Sequence, residues 1–307
     1  MLETPNQPVE AISPALKNPM RISNPKFLLF LVTFWGILIA FAPDTLTNLI
    51  DYTVFSLLGV LGAIFANSTG AGGGVVFIPM FNKLGFTESQ AIATSFAIQC
   101  FGMTAGALTW FYHYKLEREP SGLWPSFFPV IKVSAIASII GLWAVYGLDL
   151  APPSSLHYSF SWFSLLLGIG IIFIALVLKP QPLHQTVQPI DWLMICVISL
   201  FGGAVTAWLS VGIGELLAIY LIIRRFDVNM AVAVAVIVSA LTVWSAIWQH
   251  TLVDFNVYWQ VVLFAGPGAI FGGVLAKAIV AKLSAKRLKI FFAFWLMVIG
   301  AVGVSGG

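Results

Sequence analysis

Backbone amides, small hydroxyls and an interior carboxylate are the groups in this sequence that are best placed to bind a ligand. A run of glycines, GAGGG at positions 70–74, interrupts a long apolar segment. Each glycine disfavours a helix by about 1 kcal/mol relative to alanine, so the backbone should open at this run. A helix that restarts at Val75 would then direct its free N–H groups and the positive end of its dipole at the opened backbone. The run therefore predicts an anion site, whose candidate glycines are Gly70, Gly72, Gly73 and Gly74.

Five polar side chains lie beside this run or in the next apolar segment. Polar groups inside apolar helices commonly hydrogen-bond to their own or adjacent helices. Five of them at comparable depth beside one opened backbone equally suit donation to the oxygens of an oxyanion, and the sequence leaves both interpretations open. These residues are Asn67, Ser68, Thr69, Thr94 and Ser95.

The glycine pattern returns 140 positions later without a gap. Gly72 is matched by Gly212, and Gly74 is matched by Gly214. Two glycine-broken apolar segments at corresponding positions of two halves are typical of secondary transporters, in which broken half-helices present backbone groups to a substrate. Gly212 and Gly214 are therefore predicted to form the second half of the site.

Two charged residues inside apolar segments are candidates for coupling or attraction. Glu215 follows Gly214, where the second half-helix should begin, so its carboxylate either caps that helix or takes up a proton and couples transport to proton movement. An ionised Glu215 would occupy or repel the place where a second anion would bind. Lys132 is the ninth residue of a span that starts at Trp124. Its side chain either snorkels to the surface or attracts an anion, with Glu215 as a further candidate partner.

The composition places the chain in a membrane. Hydrophobic residues make up 59% of the 307 residues and charged residues 9%, and the mean hydropathy is +0.96, so a soluble domain cannot account for the apolar surface. The net charge of +3 comes from short loops, which indicates topology rather than nucleic-acid binding. Cys100, Cys196 and the histidines show no metal-ligand spacing, so neither a metal nor a cofactor is expected. His250 is kept as a functional candidate.

Basic loop residues orient the predicted spans. A span needs about 20 apolar residues, and basic loop residues favour the cytoplasmic side. With the cluster around Lys286 inside, residues 52–84 must begin and end outside, and residues 192–223 must begin and end inside. Each broken region is then a re-entrant hairpin. The alternative, one long crossing helix in each region, would make the repeats parallel. The unbroken spans are 27–42, 90–112, 124–148, 159–178, 230–249, 258–276 and 288–304.

The sequence thus predicts an all-α polytopic membrane protein with two inverted repeats. Each repeat is a glycine-broken re-entrant hairpin followed by three transmembrane helices, with one extra helix at the N-terminus. The N-terminus is placed in the cytoplasm. The predicted parts are a flexible cytoplasmic tail (1–26), the extra span with an outer loop (27–51), the first repeat (52–178), a cytoplasmic linker (179–191) and the second repeat (192–307).

The segment GAGGGVVFIPMF, followed by QAIATS at 90–95, resembles the TauE/SafE family of bacterial sulfite and organosulfur anion transporters. That family has a Gly-rich motif with a downstream proline and then an alanine-rich ATS stretch in each of two homologous halves. The resemblance covers residues 52–304, and it implies that the chain lies in a bacterial plasma (inner) membrane. The second half departs from the pattern at Ile213, Glu215, Ile219, Val234 and Ala235. The lost residues are those that would shape a second anion cradle.

These features favour a secondary transporter of a small inorganic or organic anion that works by alternating access, and the resemblance implies sulfite or a sulfonate. Protons are a candidate coupling ion, the lipid bilayer is the expected surrounding, and no nucleic-acid partner is expected. No GxxxxGK[ST] segment is present to use a nucleotide. The alternatives are an anion channel and a membrane-embedded enzyme or assembly factor. An enzyme is not expected, since HExxH and any cysteine or histidine metal cluster are missing, although Glu215, His250 and the serines would be its candidate catalytic residues.

Overall fold

The structure is a computed structural model that describes residues 24–41, 50–119, 122, 124–152, 155–177, 186–282 and 285–305. The predicted tail at 1–26 lies largely outside the described residues, and so do residues 179–185 of the predicted linker at 179–191. The helices are α1 (Pro25–Ala40), α2 (Val54–Thr69), α3 (Gly74–Lys83), α4 (Glu88–His113), α5 (Phe127–Gly147), α6 (Leu156–Val177), α7 (Pro189–Leu209), α8 (Ile213–Ile223), α9 (Val228–Leu252), α10 (Trp259–Lys282) and α11 (Ala285–Ser305). A π-helical turn, Tyr114–Arg118, extends α4.

The described residues form helices and no strand, which confirms the predicted all-α class. Seven helical segments among them are long and apolar enough to cross a membrane, so this is a multi-pass membrane protein. α4 and α9 begin slightly before the predicted spans because side chains cap them. Thr87 accepts from Gln90 N–H, and Asp227 accepts from Met230 N–H. Such caps satisfy N–H groups that a helix start otherwise leaves free.

Each glycine-broken region consists of a longer helix, a turn and a shorter helix. α2 ends where Gly70 adopts a left-handed φ of 83°, and α3 begins at Gly74. α7 ends where Ser210 adopts a φ of 56°, and Gly212, with a φ of 144°, precedes α8. A positive φ cannot continue a right-handed helix and is easiest for glycine. The backbone therefore opens at both predicted places.

The turn between the two helices of each region, residues 70–73 in the first and 210–212 in the second, is called a break. The chain reverses direction at each break. The Phe81 ring, near the end of α3, lies 6.2 Å from the Phe55 ring, near the start of α2. In the second region the Tyr220 hydroxyl of α8 donates a 2.7 Å hydrogen bond to Asp191, near the start of α7. Each short helix therefore folds back along the longer helix that precedes it.

The two halves interlock through equivalent helices. α2 packs along α10, and its counterpart α7 packs along α5, which is the counterpart of α10. Glycines bring the backbones together in both pairs. A Cβ on Gly268 would overlap the Ser56 carbonyl oxygen, and one on Gly203 would overlap that of Ser138. Small residues at such contacts allow the close approach that stabilises helix pairs in lipid.

Two further pairs join a helix to its own counterpart, α4 with α9 and α6 with α11. Phe96, early in α4, stacks on His250, late in α9, with ring centroids 4.9 Å apart. His157, early in α6, has its Nε2 3.0 Å from the carbonyl oxygen of Gly303, late in α11. Both pairs are therefore antiparallel.

An ion pair links the start of α7 to the end of α8, the two ends of the second broken region. The buried Asp191 carboxylate lies 2.6 Å from Arg224 Nε and accepts from Tyr220 and from the Gln188 N–H. Hydrogen bonding to Asp191 raises the pKa of Arg224 above its already high usual value, so the guanidinium stays charged. The residue at the equivalent position of the first half, Asp51, is exposed.

Asp191→Ala is expected to lower the free energy of unfolding by about 2 to 3 kcal/mol, because it removes the shared acceptor of Arg224, Tyr220 and the Gln188 N–H. The matched control Asp51→Ala is expected to change it by less than about 0.5 kcal/mol, as is usual for an exposed site. Thermal unfolding of both purified variants in the same detergent measures the difference. Equal melting temperatures would contradict the stabilising role of the pair.

Candidate functional site

The two breaks meet at one carboxylate. Glu215, in the first turn of α8, is 3% exposed. Its Oε2 accepts a 2.8 Å hydrogen bond from Gly212 N–H at the start of its own helix. Its Oε1 accepts a 2.7 Å bond from Gly72 N–H in the other break. A carboxylate at a helix start is stabilised by such donors and by the helix dipole. Glu215 therefore caps α8 and joins the two halves.

The charge on this carboxylate is offset by backbone groups. Within the described residues, the ion pairs involve Lys115 with Glu119, Arg224 with Asp191 and His250 with Asp254, and none includes Glu215. Burial disfavours a charge, whereas the two donated amide bonds stabilise one. The two breaks together thus place one N–H donor against each oxygen of the Glu215 carboxyl group.

A buried amide side chain makes the second link between the breaks. Gln99 of α4 accepts a 2.8 Å hydrogen bond from Gly73 N–H. Its Nε2 shares its two hydrogens among three oxygens, the hydroxyl and carbonyl oxygens of Ser210, at 2.8 and 3.1 Å, and the Ser95 hydroxyl at 3.0 Å. An amide carries both an acceptor and two donors. Gln99 therefore satisfies an N–H of one break and a carbonyl of the other.

Glycine is required where the two breaks touch. A Cβ on Gly74 would lie 2.8 Å from the Ser210 carbonyl oxygen, and a Cβ on Gly214 would overlap the Gly70 carbonyl oxygen. These neighbours are backbone atoms, which cannot move aside as the tip of a side chain can. The two breaks are therefore in direct backbone contact.

We call the place where the two breaks touch the junction. Side-chain oxygens of the protein accept the hydrogen bonds of its N–H groups. Ile213 N–H donates a 2.9 Å bond to the Thr206 hydroxyl, in addition to the bonds that Glu215 and Gln99 accept. An oxyanion presents acceptor oxygens of the same kind, and N–H groups at helix starts bind such oxygens readily. The N–H groups at the junction therefore already have acceptors of the kind that an oxyanion would present.

Comparison with protein families identifies the chain from its sequence. The model of the family described as Sulfite exporter TauE/SafE matches residues 55–302, which include both breaks and all of α3 to α10. This chain belongs to the TauE/SafE family. The resemblance seen in the glycine run and the ATS segment is thereby confirmed, and TauE/SafE proteins are membrane transporters of sulfite and organosulfur anions. Neither a curated protein nor a solved structure matches the chain.

In this TauE/SafE chain, Ser95 is the predicted polar side chain that enters the hydrogen-bond network of the junction. It accepts from Gln99 and, at 3.0 Å, from the Ser210 hydroxyl. Thr94, the preceding residue, instead accepts a 3.0 Å bond from Tyr258 N–H at the start of α10.

The other three predicted polar residues lie in the last turn of α2 and bond to backbone groups. Asn67 Nδ2 donates to the carbonyl oxygens of Ala63 and Gly102, at 2.8 and 3.1 Å. Ser68 and Thr69 each donate to a carbonyl one turn earlier in their own helix. This is the common use of hydroxyls within helices, and here it holds α2 together next to the break.

Lys132 and Glu215 lie in different surroundings. The Lys132 side chain is exposed on α5, whereas Glu215 is buried at the junction. Among the described residues no hydrogen bond or ion pair joins the two. The exposed position agrees with a lysine that extends toward the membrane surface.

Sequence reasoning missed Gln99, Ser210 and Thr206. Gln99 stands one helical turn after Ser95, and this spacing places both on one helix face. Ser210 occupies the position equivalent to Gly70 in the repeat, so the 140-residue offset could have marked it as a turn residue. Thr206 corresponds to an alanine in the first half, and the repeat gives no signal for it.

A second polar cluster of the TauE/SafE chain lies at the end of α9, around the buried His250. His250 Nδ1 is 3.0 Å from Asp254 Oδ2, and His250 Nε2 is 3.2 Å from the Tyr146 hydroxyl of α5. The imidazole stacks on Phe96, the residue after Ser95. The cluster therefore ties α4, α5 and α9 together beside the junction.

Proposed function

We propose that this chain is a secondary transporter that moves sulfite, another sulfur-containing oxyanion or a sulfonate across a bacterial plasma (inner) membrane. The observation that carries the proposal is the Glu215 carboxylate, which accepts hydrogen bonds from N–H groups of both breaks. Sulfite and sulfonate oxygens are negative acceptors like those of a carboxylate, so donors that hold one can hold the other. Family membership supplies the sulfur chemistry.

The proposed substrate site is the junction itself. The Gly72, Gly73 and Gly212 N–H groups face acceptor oxygens there, and Ser95 adds a hydroxyl to the same network. Close contact between the breaks depends on the remaining glycines. The glycines of the proposed site are Gly70, Gly72, Gly73, Gly74, Gly212 and Gly214.

The two halves are inverted repeats in this proposal. The short helix of each broken region folds back along the longer helix, which supports a region whose two ends lie on one side of the membrane. The equivalent helices α4 and α9 pack antiparallel, as do α6 and α11. Repeats with the same orientation would keep equivalent helices parallel. The antiparallel pairs therefore favour an axis in the membrane plane and two re-entrant hairpins that enter from opposite sides.

Cysteines introduced at Lys83 and at Arg225, in a variant without Cys100 and Cys196, are expected to react with an impermeant thiol reagent from opposite faces of the membrane. Lys83 ends the first broken region, and Arg225 follows the second. Labelling of intact cells and of inverted vesicles compares the two faces. Reaction of both cysteines from the same face would contradict the inverted arrangement.

Alternating access in this proposal separates the two halves at the junction. The bonds from Gly72 to Glu215 and from Gly73 to Gln99 are links that have to open. Protonation of Glu215 weakens its acceptor capacity and so loosens the first link. The freed Gly72 N–H then binds a substrate oxygen, and in this way proton uptake favours anion binding.

Uptake of radiolabelled sulfite into proteoliposomes tests the function. The proposal predicts saturable uptake that is unchanged by adding ATP on either side. A channel would give flux that rises linearly with concentration, and an enzyme or assembly factor would give no uptake. Either result would contradict the proposed transporter.

A further inference from the structure

One hydroxyl beside the junction lacks the bond that its neighbours make. Ser239 of α9 is 3% exposed, and its Oγ has no hydrogen-bond partner among the described residues. Thr206 and Thr242, also in helices, donate to the carbonyl four residues earlier. Leaving a buried polar atom unpaired costs about 1 to 3 kcal/mol, so such an atom calls for a specific reason.

The Ser239 hydroxyl points at the start of α8. A Cβ on Gly214 would lie 2.5 Å from Ser239 Oγ and would also overlap the Gly70 carbonyl oxygen. Ser239 therefore faces the place where the two breaks touch. Gly214 belongs to the same first turn of α8 as Glu215, so the hydroxyl lies against the turn that carries the carboxylate.

Ser239 is the counterpart of Gln99 at the 140-residue offset of the repeat. Gln99 meets the start of α3 through its 2.8 Å bond from Gly73 N–H. Each half thus places a buried polar side chain, from equivalent positions of α4 and α9, against the start of a short helix. Gln99 is long enough to reach a partner in the opposite break, whereas the shorter Ser239 keeps its hydroxyl unpaired.

We infer that Ser239 is a ligand of the transported anion and donates its hydroxyl hydrogen to an anion oxygen at the start of α8. The inference rests on the proposed function, because it takes the occupant of the junction to be an oxyanion. A hydroxyl donor beside a helix N-terminus suits a negative oxygen. The unpaired hydroxyl and the N–H groups of the second break then act on one ligand.

The test compares Ser239→Ala with the wild type and with Ser164→Ala, as full-length purified proteins. Ser164 is a matched control because its hydroxyl is also buried and unpaired among the described residues, but it lies on α6. Sulfite affinity is measured by binding of the radiolabelled ion, and stability by thermal unfolding without sulfite. Ser239→Ala is expected to weaken sulfite binding about tenfold, the size expected for one lost hydrogen bond to a charged group. Its melting temperature should equal or exceed that of the wild type, since the hydroxyl has no protein partner to lose.

Each other outcome overturns the inference in a recognisable way. Wild-type affinity in Ser239→Ala would show that the hydroxyl does not contact the anion while leaving the proposed function intact. An equal loss of affinity in Ser164→Ala would make the effect nonspecific. A clearly lowered melting temperature in Ser239→Ala would show a structural partner. Absence of binding to the wild type by both sulfite and a small sulfonate would remove the proposed function and this inference together.

Discussion

Glu215→Gln is expected to keep sulfite binding and to lose the dependence of accumulation on a pH gradient. Glutamine has nearly the same shape, but it cannot take up a proton at any accessible pH. It also offers one acceptor oxygen, so it can keep only one of the bonds now donated by Gly72 and Gly212. We therefore expect a modest loss of stability, about 1 to 2 kcal/mol, together with complete loss of proton coupling.

Proteoliposomes with an imposed pH gradient measure this effect directly. Wild-type vesicles should accumulate labelled sulfite when the gradient has the favourable sign and not when it is reversed or collapsed. Glu215→Gln vesicles should equilibrate sulfite at the same rate in all three conditions. If Glu215 only caps α8, the variant will be slightly less stable and its pH response will persist, which would exclude the coupling role.

Gly73→Val is expected to abolish sulfite binding while the protein still inserts and purifies as a monodisperse species. A Cβ on Gly73 would lie 2.7 Å from the Phe77 ring and 3.0 Å from Gln99 Cγ. Both neighbours are side chains, which can shift, so we expect an overpacking cost of about 1 to 3 kcal/mol rather than failure to fold. The shift of Gln99 would move the Gly73 N–H away from its acceptor and distort the donors around Glu215.

The matched control for this variant is Gly170→Val on α6, where an added Cβ meets nothing within 4 Å. Its sulfite affinity and elution profile should equal those of the wild type. Unchanged sulfite affinity in Gly73→Val would indicate that the glycine run only allows close helix packing. It would contradict the assignment of the first break to the substrate site.

The breaks and the cap at Glu215 could be predicted because they depend on local properties of the backbone. Glycines at Gly72 and Gly74 disfavour helix wherever they occur, and a carboxylate at Glu215 suits a helix start. The match at 140 positions then located the second break without any structure. Local signals of this kind require no knowledge of how the helices pack.

The partners of individual polar residues could not be predicted because apolar helices give little directional signal. In α4 every residue from 91 to 100 is buried, so no amphipathic pattern distinguishes the face that carries Gln99. Thr69 and Ser68 donate their hydroxyls to carbonyls of their own helix, and Thr69 also accepts a bond from Ala71 N–H in the break, which polarity alone does not predict. The bond from Gly72 to Glu215 joins positions 143 residues apart, and only the packed structure brings them together.

Counterflow in proteoliposomes tests most directly the claim that a single site at the junction is exposed alternately to the two sides. Vesicles are loaded with unlabelled sulfite and diluted into a trace of labelled sulfite, without ATP or a pH gradient. A transporter that exchanges one anion for another should accumulate the label transiently above its equilibrium level, and Gly73→Val should remove this overshoot. A steady approach to equilibrium in the wild type, with no overshoot, would contradict the account.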